Sequence, residues 1–199
     1  GSGGFDQGWN QSIIDDCAEN IDYISVHYYE NPDNFKSVPA AYENYLENLA
    51  EYIANSANPD MKIYNSEWNA QSTDWRTGLF AGGLLNVYER QGDDFKIGGP
   101  ALFLRHQSAS GWDNAFINFD HTSWFPAPNY VVMKLWWGHY APNRIQTTGT
   151  DTNLNVVTVM SENEQTLYIR IVNPDPTDKS VEFEIDSSFI PESAYMHFV

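Results

Sequence analysis

Hydrophobic and polar positions follow two different rules along this chain, and the change falls near residue 141. Before it, apolar runs alternate with stretches of helical period. IDYISVHYY (21–29) is a continuous apolar and aromatic run, the pattern of a strand buried on both faces. VPAAYENYLENLAEYIANS (38–56) places Tyr42, Tyr45, Leu46, Leu49, Tyr52 and Ile53 at helical spacing, with Pro39 suited to a first turn. MKIYNSE (61–67) reads as a second strand. TDWRTGLFAGGLLNVYERQG (73–92) reads as a second helix, capped by Thr73 or Asp74 and stopped at Gly92. Gly78, Gly82 and Gly83 weaken that helix and predict close packing against a sheet. IGGPALFLRH (97–106) and APNYVVMKLWWGHY (127–140) supply a third strand and a third helix. Strand–helix units in succession predict a parallel sheet.

After APNRIQTTG the period becomes two. NLNVVTVMS (153–161), QTLYIRIVN (165–173) and SVEFEIDSS (180–188) alternate, joined by the turns ENE and PDPTDK. The expected class is therefore α/β plus all-β, with an α/β part over 1–140 and an antiparallel β domain over 141–199. Each part reads as incomplete. Three parallel strands do not close a sheet that must be covered on both faces, and YMHFV stops inside what reads as another strand.

A formal charge of −17, from 27 acids against 10 bases, argues against nucleic acid and anionic membrane as partners. It leaves a neutral partner such as a sugar. Aromatics make up 15% of the chain, which suits either stacking on sugar rings or an aromatic core. The single cysteine, Cys17, lies in SIIDDCAENI, which reads as a helix; it excludes an internal disulfide and supports no cysteine metal site. His106, His121 and His139 lack ligand spacing to carboxylates, so no catalytic metal and no cofactor are expected. No signal peptide, lipid-anchor motif or apolar run of membrane length is visible, and localisation, secreted or cytoplasmic, stays open.

The chemistry-bearing stretch is YNSEWNA (64–70), where Glu67 stands at a strand end beside Trp68 and near Asn69. A bare carboxylate there is either catalytic or a cap for the next helix. His27 and Tyr29, two residues apart, share one face of the first strand.

DYISVHYYENPDNF, IYNSEWNAQSTDW, RTGLFAGGLLNVYER and GGPALFLRHQSASGWDNAFINFDHTSWFPAPNYVVMKLW resemble the later strands of a family 51 glycoside hydrolase. That family contains mainly α-L-arabinofuranosidases, with some endoglucanases. The resemblance implies strands six to eight of a (β/α)8 barrel followed by most of a β-sandwich, with GSGG at the start as a natural loop. It implies a retaining mechanism with Glu67 as nucleophile, after a strand ending in SEWN. His27 and Tyr29 then reach into the sugar site, Tyr29 donating to Glu67 and His27 bonding a sugar hydroxyl or the acid. Trp68 becomes a pocket wall or a core residue. Asn69 and Asn114 become sugar contacts, and Trp112 an aglycone platform or a lid anchor. The family's acid/base sits in an Asn-Glu dipeptide. Here the one such pair, Asn163-Glu164, falls in a turn of the β domain and reads as a decoy. The chain is thus expected to supply the nucleophile and lack the acid, and to be inactive without a complementary N-terminal half-barrel or a second copy. An endo-β-glucanase of the same family and a non-catalytic carbohydrate-binding module are the alternatives.

Overall fold

Three parallel strands and the helices between them carry the core. The computed structural model describes residues 6–149, 153–185 and 189–199, so GSGG and the last three residues of SVEFEIDSS lie outside the described residues. Helix α1 (Gln7–Cys17) is capped by the Asp6 carboxylate, which accepts from the Gly8 and Trp9 amides. It precedes the succession β1 (Tyr23–Glu30), α2 (Val38–Ala54), β2 (Lys62–Ala70), α3 (Trp75–Arg90) and β3 (Phe95–Pro100). The sheet order is β1-β2-β3 and both pairings are parallel, as the strand–helix alternation predicts.

The buried face of the sheet and the helices form one cluster. Ile24, Val26 and Tyr28 of β1 and Ile63 and Trp68 of β2 meet Tyr42, Leu46 and Leu49 of α2 and Phe80, Leu84 and Val87 of α3. Tyr28 stacks on Tyr42 with ring centroids 4.0 Å apart, and Tyr88 stacks on Phe95 at 4.2 Å. Each buried aromatic or aliphatic side chain of this kind contributes roughly 1.5–3 kcal/mol by leaving water.

Four expectations need correction. The run 21–29 is buried on one face only: Tyr23, Ser25, His27 and Tyr29 occupy the other and keep partial or full exposure, because their polar groups favour water. The strand expected over 97–106 divides. β3 ends at Pro100, the Ala101 amide makes a last bond to the Trp68 carbonyl at 3.1 Å, and β4 (Leu104–His106) joins a separate sheet with β5 (Ile117–Phe119) and β6 (Trp124–Pro126). The α3 glycines admit a helix as well as a sheet strand. A Cβ on Gly82 would meet Val172 at 2.9 Å, and one on Gly83 would meet Pro39 of α2 at 2.5 Å.

The last correction concerns the β domain. After α4 (Pro128–Gly138), strands β7 (Asn143–Ile145), β8 (Asn155–Met160) and β9 (Leu167–Val172) make one antiparallel sheet. Residues 180–185 form no strand despite their alternation, since a strand needs a neighbour for its N–H and C=O groups and none pairs with them. Among the described residues the domain is thus a single sheet. Val172 packs it on Val132 and Trp136 of α4. The parallel sheet is likewise open among the described residues.

Asp74 caps α3, the helix that leaves the β2 end, by accepting from the Arg76 amide at 2.9 Å. The Arg76 side chain, above all, holds its carboxyl at about 2 instead of an ordinary 3.8. A depressed carboxylate stabilises the fold above its unfolded value and loses that contribution as pH falls toward the folded one. Asp74→Ala should therefore cost about 0.5–2 kcal/mol near neutrality, mostly as lost capping because the ion pair is partly exposed. The difference between parent and variant melting temperatures should shrink between about pH 4 and pH 2. Thermal melts of both proteins across that range test this.

Candidate active site

β1 and β2 run in register from Tyr23 opposite Lys62 to Val26 opposite Asn65; then His27 pairs with Glu67, leaving Ser66 as an extra residue on β2. One inserted residue reverses the side on which all later side chains emerge. Ile63 and Asn65 are fully buried on the helix side. Strict alternation would send Glu67 there as well. With Ser66 inserted, Glu67 instead shares the face of His27 and Tyr29, and its side chain is 45% exposed. Ser66 faces the same way and pairs its hydroxyl with that of Ser25 at 2.6 Å.

Tyr29 donates its hydroxyl to Glu67 Oε2 at 2.9 Å, and His27 Nδ1 lies 3.6 Å from the same oxygen. Burial first, then the bond to Glu67 and its charge, push the Tyr29 phenol well above its ordinary value. It therefore remains a donor across the working pH range. A donor fixed on one oxygen orients the carboxylate. The result is a half-exposed carboxylate, held by a phenol and a histidine, at the C-terminal end of a parallel strand.

The loop after β4 closes over this face. Gly111 and Trp112 adopt φ of 76° and 50°, two left-handed residues in succession that turn the chain sharply. The turn sets Trp112 edge-on to Tyr29, with centroids 6.0 Å apart and planes at 70°. Trp112 remains 65% exposed beside Tyr29. The structure thus brings Glu67, Tyr29, His27 and Trp112 together.

It does not bring Trp68, Asn69 and Asn114 to the same surface. Trp68 pairs with Tyr28, faces the helices, and packs on Tyr88 and Phe116, so it is a core residue and not a pocket wall. Asn69 is fully buried. Its Nδ2 donates to the Asn114 carbonyl, and its Oδ1 accepts from Asn129 Nδ2 at 2.9 Å. Asn114 Nδ2 donates in turn to the Ala70 carbonyl at 3.3 Å. These amides tie the end of β2 to the loop bearing Trp112 and to the start of α4. In this structure their amide nitrogens are bonded within the protein, so they serve as supports. Asn129 was not singled out from sequence, and its place beside a proline at a helix start gave little sign of this role.

Glu164 has φ of 58° in the turn between β8 and β9, consistent with its reading as a decoy. His106 is bonded to Ser108, and His139 to the Leu135 carbonyl. Among the described residues, no three His, Cys, Asp or Glu side chains gather to hold a metal ion, and no helix is long and apolar enough to cross a membrane.

The fold is α/β plus all-β and is related to the barrel-type architecture of family 51 arabinofuranosidases. The α-L-arabinofuranosidase of Thermotoga maritima matches with a TM-score of 0.71 at 19% identity, over 84% of this chain and 41% of that one. The family 51 arabinofuranosidase of Xanthomonas axonopodis pv. citri matches with a TM-score of 0.68 at 14% identity, over 87% and 42%. In sequence, an extracellular exo-α-L-arabinofuranosidase of Streptomyces chartreusis is 22% identical over 148 residues, which is 74% of this chain and 16% of that protein. No family model matches the sequence. The chain therefore spans well under half the length of these relatives, and at such identities the likeness is one of fold.

If Glu67 holds the Tyr29 phenol in its protonated form, Glu67→Gln should lower the Tyr29 titration while leaving the part due to burial. A titration of 13Cζ-labelled tyrosine by NMR checks this, the Tyr29 signal being identified by its loss in Tyr29→Phe. An unmoved midpoint would detach Tyr29 from Glu67.

Proposed function

We propose that this chain carries the nucleophile of a retaining glycoside hydrolase that releases α-L-arabinofuranosyl residues from plant cell-wall polysaccharide. The observation that carries the reading is the 2.9 Å bond from Tyr29 to a half-exposed Glu67 at the end of a parallel strand. Chemistry in barrel folds sits at the C-terminal strand ends. Glu67 attacks the anomeric carbon as a general acid protonates the departing glycosidic oxygen, giving a glycosyl ester on Glu67. Water then attacks the same carbon, its proton passing to the conjugate base of that acid, and the sugar leaves with its configuration retained. Tyr29 orients the carboxylate, His27 faces the sugar or the acid, and Trp112 offers an aromatic face to the departing group.

The arabinofuranosyl choice draws support from the named activities of the relatives, all of them arabinofuranosidases. In this reading residues 1–140 belong to the catalytic barrel and 141–199 to the appended β domain. The acid must stand about 5–5.5 Å from Glu67. Among the described residues the groups found at Glu67 are a phenol and an imidazole, and in this reading a complementary half-barrel segment or a partner chain supplies the acid.

Two measurements follow. In an assembly that hydrolyses arabinofuranosides, a cyclophellitol-type arabinofuranosyl inhibitor should label Glu67, and Glu67→Gln should abolish turnover while retaining sugar binding. Mass spectrometry of the labelled peptide decides; a label elsewhere, or an inverted product, would overturn the reading. Light scattering on the 199-residue chain should show association through its open sheet. A cooperative monomer of about 22.7 kDa would argue against a partner.

A further inference from the structure

The bulge that presents Glu67 is clasped from both sides by groups that the displacement does not use. Asn65, the residue before the bulge, is fully buried. One end of its amide lies 2.7 Å from the Tyr42 hydroxyl and 2.9 Å from the Tyr88 hydroxyl. The other end lies 3.0 Å from the Val26 carbonyl of β1 and 2.7 Å from the carbonyl of Glu67 itself. Carbonyl oxygens only accept, so the end facing them must be Nδ2. Burial holds both phenols well above their ordinary values, so both stay protonated and donate to Oδ1. In this orientation Asn65 makes four bonds, two received and two given. Two of them fall on carbonyls flanking the bulge, one on each strand.

On the opposite edge β3 gives way. Asn65 pairs with Gly98 and Trp68 with Pro100, so Gly99 stands alone opposite Ser66 and Glu67. A Cβ on Gly99 would lie 2.9 Å from the Ser66 carbonyl oxygen, closer than backbone atoms tolerate. The bulge pushes that carbonyl toward β3, and only glycine leaves it room.

We infer that Asn65 is a positioning residue for Glu67, acting with Gly99 to fix the bulge at the register where the carboxylate meets Tyr29. The inference rests on Glu67 being the nucleophile only for its kinetic consequence; the geometric part stands separately. A side chain that merely filled the core would contribute stability and leave the Tyr29–Glu67 bond unchanged. A positioning residue controls that bond.

The test uses the full chain and the Tyr29 titration described above. Asn65→Leu replaces the amide by an apolar group of similar volume, and Gly99→Ala crowds the bulge from the other side. Both should lower the Tyr29 midpoint toward that of Glu67→Gln, with helix content by circular dichroism unchanged. In the hydrolysing assembly, turnover should fall about 100-fold with little change in KM, the signature of a misplaced reacting group. Should Asn65→Leu fail to fold, Tyr88→Phe keeps the ring and removes one donor to the amide, and it should move the same midpoint in the same direction. A folded Asn65→Leu with a lower melting temperature and a parent-like Tyr29 midpoint would overturn the clasp. A hydrolysing assembly of the parent chain that takes no label on Glu67, while the variants still shift the midpoint, would overturn the nucleophile and keep the clasp.

Discussion

Side chains in a strand alternate between two faces, so one inserted residue decides the face of everything that follows it. In β2 that residue is Ser66, and four features of the site depend on it. Glu67 reaches the open face of the sheet. Trp68 returns to the core, where it fills the space between Tyr88 and Phe116. Asn69 is placed to receive the Asn129 amide, and through Asn114 the loop carrying Trp112 is anchored above Tyr29. A regular strand would bury the carboxylate among aromatic rings, where an ionised acid costs several kcal/mol unless paired.

Such an irregularity persists only where the surrounding structure over-determines it. The helix layer does so with tyrosines, whose rings join the core while their hydroxyls reach polar groups inside it. Tyr42 stacks on Tyr28 and meets Tyr88 edge-on, and both Tyr42 and Tyr88 bond Asn65. The aromatic content of the chain is partly explained here, since phenylalanines would pack as well and leave the buried amide without donors. An unsatisfied buried polar group costs about 1–3 kcal/mol.

Helix α3 links the site to the antiparallel sheet. Its start is capped by Asp74 just beyond the β2 end, and its other end reaches the antiparallel sheet through polar contacts. Arg90 bonds Glu43 on α2 and the Asn155 side chain and Val156 carbonyl on β8. Asn86 donates to the Asn155 carbonyl and accepts from the Trp136 indole at 3.0 Å. Arg170 on β9 pairs with Glu89, whose carboxyl is raised by burial even with the guanidinium beside it. Desolvation consumes much of the gain in such a pair, so its effect is chiefly to fix geometry. The small residues Gly82 and Gly83 let Val172 and Pro39 approach closely, which a larger side chain would prevent.

The strand–helix order, the helix spans and the change of period near residue 141 were legible because hydrophobic period reports burial directly. The gathering of Glu67, Tyr29 and His27 was legible because polar groups ending an apolar run need a reason to be there. The facing of their neighbours was not, and the cause lies in NSE. Three polar residues separate Ile63 and Tyr64 from Trp68, so no apolar residue marks the phase of alternation between them. The strand expected from residue 180 failed over 180–185 for the opposite reason: its phase is clear, but alternation cannot supply a neighbour. One signal of the bulge does exist in the sequence. Ile63 and Trp68 are an odd number of positions apart, which in a regular strand places them on opposite faces. Both are large and apolar, and a sheet with one solvated face has only one place for them. An odd spacing between two residues that must share a face requires an extra residue between them, and the polar residues of NSE are where it has to go.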